Sequence, residues 1–545
     1  MVYPIEVFFI FMKSCQNKSL RNNNLMEFQK NISQTNSVMT DFKIVMITII
    51  GASISQLIAT IQIYWENIRL SNQVTLIKAS GYLTVPDTHM LSELDSIQTA
   101  FCSGFFFTGT IGLGITAICY LTAWFWVNQS KKNKYILGLI LIQWAYALYQ
   151  ANSNGYSHFT AYLILLAPSV FWICVVIPSG THRTTKKMIF FWMFPVLFLL
   201  LSILGMDRSI SFISIRDYWL LSNRLGNAVN NFYYQYTLYP GEMIKPLSLR
   251  QQKTCFLVSQ ITESEQGGFQ QTINIIKQKC IDNDYFVISD QTKADLILQI
   301  SNHRLLFQHH RKIILEASIK NFFKESDSLF STFSEKTDVN DFFRKCIFMS
   351  LIFGSPILLY SVLMILFLSL LNIIYKYHMN EYIVIIVVCT GILLLIKTIP
   401  AHINNQMTSE IWFQSFEKSY SQNNCYQGVA LLKYNCIHQI NITQKGCQVI
   451  SNWLTKTNNS ALKYWMIRNL SNCHQPGTQS LLYKMIEDPQ VNVVCQSLYA
   501  LGRQGDKRAI PRIMRKLETS NHWYIQMYAY RALKKLGWRN IINNN

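Results

Sequence analysis

Charge is what this sequence has least of: Asp, Glu, Lys and Arg make up 14% of its 545 residues, against 50% hydrophobic residues. A soluble globular chain carries about 25% charged residues, so this composition excludes an ordinary soluble protein and calls for a membrane protein. Acidic residues are the scarcer sign, 29 against 49 Lys and Arg, for a formal net charge of +20. That skew points to an anionic neighbour, either lipid headgroups or an acidic partner. The 13 cysteines are spread along the chain, several inside apolar runs, which excludes the disulfide framework of a small secreted domain.

What is present in quantity is long apolar sequence. Seven runs read as membrane spans, at residues 44–65, 100–127, 135–149, 158–177, 188–206, 346–374 and 382–396. None has an Asp, Glu, Lys or Arg in its interior. Intramembrane ionisable groups mark proton relays and ion paths, so their absence argues against a proton-coupled transporter, a pump or an intramembrane aspartyl or zinc protease. Gln56, Gln62 and Gln143 read as polar contacts between helices, and Gly112 with Gly114 as a place of close helix approach. Lys131, Lys132 and Lys134 in one short loop, and Arg183, Lys186 and Lys187 in another, both read as cytoplasmic. Alternation then puts the N-terminus inside, and the 66–98 loop, the 207–345 region and everything after residue 398 outside, in what reads as a bacterial cytoplasmic membrane. Thiols and a basic surface in the last of these also suit the cytoplasm, in conflict with the loop charges.

The chain divides into a polar N-terminal segment (1–43), a five-span bundle (44–206), an aromatic juxtamembrane segment (207–250), a small α+β domain (251–345), a two-span hairpin (346–399) and a C-terminal domain (400–545). In the juxtamembrane segment Tyr218, Trp219, Phe232, Tyr233, Tyr234, Tyr236 and Tyr239 follow in quick succession. Rings of this kind favour the headgroup layer; Trp219, Tyr233, Tyr234 and Tyr236 are the candidate interfacial set. In the α+β domain the periodicity reads strand, helix, strand, strand, strand, helix. Chemistry is sparse there. Gly267-Gly268 lacks the Lys-Ser/Thr of a phosphate loop. His303, His309 and His310 fall in an apparent hairpin without a Cys or carboxylate at ligand spacing, and Asp290 and Asp295 read as turn or cap residues. Neither paired catalytic carboxylates nor a Ser/His/Asp set stands out, and no cofactor or metal motif is present.

The C-terminal domain holds a repeat. Leu462, Met466, Asn469 and Leu470 recur as Val493, Ser497, Ala500 and Leu501, and again as Ile525, Ala529, Ala532 and Leu533. Two short amphipathic helices per unit at this period form a helical solenoid. The DPxxxV run from Asp488, the Ala500 to Gly502 triplet, the Gly505-Asp506 turn and Ala509-Ile510-Pro511 resemble HEAT repeats, of the short type first noted in phycobilisome-lyase proteins. The resemblance covers residues 459–538, with a degraded pair at 415–457. It implies a protein-binding surface and no chemistry. The arginine usual after the motif valine is replaced by Val494 and Gln526, so the family's internal Asp–Arg ladder is missing. Cys473, Cys495, Cys425, Cys436 and Cys447 read as structural.

Beyond residue 400 there are 17 Lys and Arg against six Asp and Glu. Arg503, Lys507, Arg508, Arg512, Arg515 and Lys516 are the densest group and the candidate partner-binding residues; nucleic acid is a weaker candidate than lipid or protein. The sequence as a whole reads as a mainly α membrane scaffold or adaptor, without enzymatic activity, whose HEAT-like domain binds a protein or an anionic surface in an envelope assembly. Two alternatives stand beside it. One is a component exporting a lipid or hydrophobic solute. The other is an envelope enzyme acting on a lipid-linked substrate, which requires carboxylates of the 66–98 loop to converge on Tyr233.

Overall fold

A computed structural model describes residues 21–176, 213, 216–259, 266–301, 304–354, 407–475 and 477–540. The first helix, α1 (Arg21–Ala79), contains a 35-residue stretch, Val45–Ala79, apolar enough to cross a membrane. At about 1.5 Å per residue that stretch spans roughly 50 Å, well beyond a hydrocarbon core of about 30 Å. The sequence reading ended this helix near Trp65 because Glu66 and Arg69 follow; the structure continues it for three more turns and more. Those turns carry polar residues, and there Gln73 Nε2 donates to Asp295 of the α+β domain at 2.8 Å.

Two further helices have span length and apolarity, α2 (Ile97–Gln129) and α4 (Phe159–Val176). Between them α3 (Lys134–Ala151) is an 18-residue helix that falls short of a span on apolarity. The expectation of about seven spans is therefore corrected to three candidates among the described residues. The runs at 188–206 and 382–396, and most of the one at 346–374, lie outside them. Side chains too large for their neighbours would keep these helices apart, and small ones bring them together: a Cβ on Gly112 would run into Ser55, and one on Gly114 into Ser350. Gln56 Nε2 donates to the Phe101 carbonyl (2.7 Å) and its Oε1 accepts from Thr108 (2.7 Å), while Gln62 Nε2 donates to the His158 carbonyl (2.8 Å). Both glutamines thus tie α1 to its neighbours. Gln143 lies on the exposed side of α3.

After Arg216–Leu220, a single wide helical turn, come α5 (Arg224–Tyr236) and the short α6 (Leu238–Ile244). Asn223 caps α5, its Oδ1 accepting from Gly226 N at 2.7 Å. The α+β domain follows: β1 (Lys253–Ser259), α7 (Gln266–Asp282), β2 (Tyr285–Val287), β3 (Leu296–Ser301), β4 (Arg304–His309), β5 (Lys312–Ser318) and α8 (Ile319–Lys336), leading into α9 (Asp341–Met349). The sheet order is β2-β1-β3-β4-β5, with β1 parallel to β2 and β3 and the remaining pairs antiparallel. The sequence reading missed β4, whose polar ends look like a turn; only Leu305 and Phe307 point into the core. Tyr285, Phe307, Phe322, Phe330 and Phe333 fill that core.

Eight helices complete the described chain: α10 (Ser409–Ser421), α11 (Cys425–His438), α12 (Gln444–Lys456), α13 (Ser460–Leu470), α14 (Thr478–Met485), α15 (Val491–Gln504), α16 (Ile510–Thr519) and α17 (Trp523–Lys535). Local sequence writes their boundaries. Thr408, Asn424, Thr443 and Asn459 cap α10 to α13 through side-chain oxygens, Gly505 at φ 77° ends α15, and Pro511 sits in the first turn of α16.

Candidate functional site

The eight helices pair into four hairpins whose second members, α11, α13, α15 and α17, stack on one another in a row. The residues that recur in phase in the sequence form the seam: Leu462, Met466, Asn469 and Leu470, then Val493, Ser497, Ala500 and Leu501, then Ile525, Ala529, Ala532 and Leu533 are all buried. Each hairpin leaves an apolar edge that only its neighbour covers, which is how a solenoid coheres.

In most solenoids such a row presents a free surface. Here the same chain lies across it. The turn before α5 inserts a buried ion pair: Arg216 grips Asp217 Oδ1 through Nε (2.9 Å) and Nη2 (2.6 Å), and Trp465 of α13 donates its indole N–H to Asp217 Oδ2 (2.7 Å). The Arg216 guanidinium also sits 4.1 Å from the centre of the Tyr464 ring. Burial pushes the Asp217 carboxyl up, opposed by Arg216 and the Trp465 N–H. Farther along, Asn230 donates to Asn492 Oδ1 (2.7 Å), Tyr234 packs on Tyr524 (4.9 Å between ring centres) and Tyr239 on Trp523 (5.2 Å).

A second contact comes from the turn after α1. Asp87 N–H donates to Gln526 Oε1 (3.0 Å), Gln526 Nε2 donates to the Ser520 carbonyl (2.8 Å), and His89 Nε2 lies 3.0 Å from that carbonyl. Gln526 is fully buried. It stands where HEAT repeats usually have arginine, and its amide serves a contact to another part of the chain instead. Burial raises the Asp87 carboxyl, yet the Thr88 N–H, His89 and Lys78 hold it below its ordinary value. Leu83 exchanges two backbone-to-amide bonds with Asn540, both 2.9 Å, and Asp284 of the α+β domain accepts from Tyr530 (2.9 Å) and pairs with Lys534 (2.8 Å). Turn, juxtamembrane segment, α+β domain and solenoid are thereby locked together.

With this geometry in place, comparison with known proteins adds one assignment: residues 448–534 match the HEAT-repeat family. The C-terminal solenoid carries HEAT repeats. No curated protein and no solved structure matches the chain. The HEAT repeats account for the helix hairpins within 448–534 and support a role in protein interaction; the match does not extend to α1–α4 or to the α+β domain.

The structure places Arg512, Arg515 and Lys516 on the first-row helix α16, Lys507 and Arg508 in the turn before it, and Arg503 at the end of the second-row helix α15. Two of them are neutralised by carboxylates: Arg508 by Asp506 (2.6 Å) and Lys516 by Glu487 (2.7 Å). Arg512 lies over the Tyr483 ring (4.3 Å), and Arg503 donates to Tyr499 Oη (3.3 Å). Lys507 and Arg515 form no ion pair among the described residues. The sequence cluster is therefore not one surface charge; its members are divided among separate contacts. Of the candidate aromatics, Tyr234 is taken up by the HEAT repeats and Tyr236 packs on Phe232 (4.8 Å). Tyr233 is partly exposed beside Tyr234, and the Trp219 side chain lies outside the described residues. The opposite side of α5 carries Leu225, Val229 and Phe232, 77%, 51% and 43% exposed, in one helical stripe.

Of the acids that the enzyme alternative requires, Glu93 alone among the described bonds reaches the aromatic segment. Glu93 accepts from Tyr239 Oη (3.4 Å), Asp95 from Ser71 (3.5 Å), Asp87 binds in its own turn, and Glu66 lies 3.7 Å from His158. His309 is on β4 with Nδ1 2.9 Å from the Asp295 carbonyl; His310 forms the turn, and His303 lies outside the described residues. Asp290 caps a helical turn and Asp295 accepts from Thr254 N (2.9 Å). Among the described residues no three His, Cys, Asp or Glu side chains gather as a metal site.

Cysteine usage needs one correction. Cys447 and Cys473 are joined in a disulfide, with Cα atoms 6.1 Å apart, that staples α12 to the turn after α13. Cys495 is a buried core thiol held well above its ordinary pKa by desolvation. Sequence reasoning missed Arg216, Asp217 and Gln526. The one available signal was the departure of Gln526 from the family arginine.

Proposed function

We propose that this protein is an integral membrane scaffold that holds a HEAT-repeat solenoid in a fixed orientation and offers its uncovered surface to a protein partner. The carrying observation is the covered second row. Because the turn after α1 and the 216–244 segment occupy it, the partner meets the first row and the far ends of the second. The bundle anchors, and the Leu225, Val229 and Phe232 stripe of α5 rests on lipid as an in-plane helix. In this reading the turn after α1, the α+β domain and the HEAT repeats lie on one side of the membrane, which their docking to one another and the loop charges support. A disulfide within the repeats favours the oxidising, outer side.

The test is photocrosslinking in cells. A photoreactive residue at Arg515 on the first row gives one discrete protein adduct, whereas the same group at Tyr135 on α3 gives none of that size. Absence of a first-row adduct at Arg515 and at neighbouring exposed positions contradicts the scaffold reading. A C-terminal reporter fusion reads the side: activity of a cytoplasm-only reporter rejects the outer placement.

A further inference from the structure

The uncovered end of the second row has its own chemistry. Arg468 of α13, Tyr499 and Arg503 of α15, and Lys535 of α17 come from three successive HEAT hairpins and meet around one ring. The Arg468 guanidinium lies 5.2 Å from the centre of the Tyr499 ring, the Lys535 ammonium lies 4.5 Å from it, and Arg503 Nη1 donates to the Tyr499 hydroxyl at 3.3 Å. Tyr499 and Arg468 are half-buried; Arg503 and Lys535 are exposed. Elsewhere in the repeats carboxylates meet the cations, at Lys463, Arg508, Lys516 and Lys534. Arg468, Arg503 and Lys535 form no ion pair among the described residues. Arg468 also donates to Gln496 Oε1 at 3.4 Å, but like charges gathered this closely repel one another, and an anion from outside would relieve that repulsion.

Although burial raises the Tyr499 hydroxyl, Arg503, Arg468 and Lys535 hold it below its ordinary pKa. Every charged group acting on that hydroxyl is a cation, so the local field is of one sign.

We infer that Arg468, Tyr499, Arg503 and Lys535 form a docking site for an acidic protein segment, the side chains of which supply the missing carboxylates. The inference rests on the scaffold reading and names the partner's chemistry. Two arginines offer planar, paired donors suited to carboxylates, and Tyr499 adds a ring and a hydroxyl between them. Lipid headgroups fit less well. The membrane-proximal segment meets α15 at Asn492, 11 residues before Arg503, a separation of about 16 Å along the helix. Arg468 adjoins Trp465, which that segment also meets, and from there the site extends away from the segment to Arg503 and Lys535.

The experiment uses the full chain in phosphatidylcholine nanodiscs and a fluorescent ten-residue oligoglutamate peptide, followed by anisotropy. The intact protein binds, and binding weakens as salt rises. The triple variant R468Q/R503Q/K535Q loses at least tenfold in affinity, whereas R508Q/K516Q, which removes two already neutralised cations, stays within twofold. Unchanged binding in the triple variant, or equal losses in both, overturns the site. Should the triple variant melt early, the exposed pair R503Q/K535Q alone carries the test, with an expected loss of at least threefold. Loss of peptide binding when the discs contain phosphatidylserine assigns the site to lipid and likewise overturns the proposal. A missing Arg515 adduct with peptide binding intact breaks the scaffold reading alone, and the reverse breaks this one alone.

Discussion

The two helix rows of the solenoid are cut from the same repeat and live in different surroundings. In the second row, α15 buries 11 of its 14 residues; in the first, α16 buries two of its ten. Apolarity is only part of the difference: α15 buries three valines, two leucines, a cysteine and an alanine, but polar residues are buried beside them. Asn492 and, in α17, Gln526 are buried polar residues whose partners Asn230 and Asp87 come from other parts of the chain, while the buried Gln496 and Ser497 bond within the repeats. A HEAT surface that would otherwise meet another protein has been given polar side chains that recognise a turn and a helix of its own chain. The first row keeps the solvated charges.

That contrast can be broken most severely at Asp217. Asp217→Ala leaves Arg216 buried without its counter-charge and Trp465 without an acceptor, a loss of about 3–5 kcal/mol. Limited proteolysis should then cut between residues 220 and 250, where the parent resists. Replacing both Cys447 and Cys473 by Ser releases the staple across 26 residues of sequence and should cost about 2–4 kcal/mol in thermal unfolding under non-reducing conditions. If reductant fails to lower the melting temperature of the parent, the covalent link is not part of its stability.

Two milder changes sharpen the contrast. Gln526→Ala leaves the Asp87 N–H and the Ser520 carbonyl without that amide, at about 1–3 kcal/mol, and should raise hydrogen exchange in the turn after α1 more than in the first row. Acid gives a second lever. Burial drives His522 at the start of α17 down to about 4 from 6.5. Between those values the unfolded chain binds a proton that the folded one refuses, so stability rises with pH across the window and is lost on acidification through it, by about 1–3 kcal/mol in all. His522→Asn should flatten the melting temperature between pH 6.5 and 4. Smallest of all, Lys516→Gln in the first row removes an exposed pair with Glu487 and should change stability by no more than about 0.5 kcal/mol.

Much of the fold was legible because it is written locally. Caps at Thr443 and Asn459, Gly505 at a helix end and the shared phase of three repeats all act within a few residues. The basic count was legible too, but its distribution was not: Arg508 is neutralised two residues from itself by Asp506, while Arg468, 31 residues upstream of Tyr499, is brought to it only by stacking of hairpins. The 66–98 stretch was misread for a physical reason. Glu66 and Arg69 end an apolar run without ending a helix, since both are good helix formers and α1 continues through them to Ala79. Trp465 and Asp217 are 248 positions apart, and Asp87 and Gln526 are 439 apart; no periodicity links such pairs.

The bonds between Leu83 and Asn540 close over 457 residues. Synthesis proceeds at about 5–20 residues per second, so the turn after α1 is made tens of seconds before its receptor exists. Until then its Asp87 and Leu83 amides, and until Trp465 is made the Arg216–Asp217 pair, must be served by water or by another protein. The turn after α1 is therefore the last contact to close, and a ribosome stalled within the last repeat would leave its Asp87 and Leu83 groups open while Asp217 and Asn230 already have their partners.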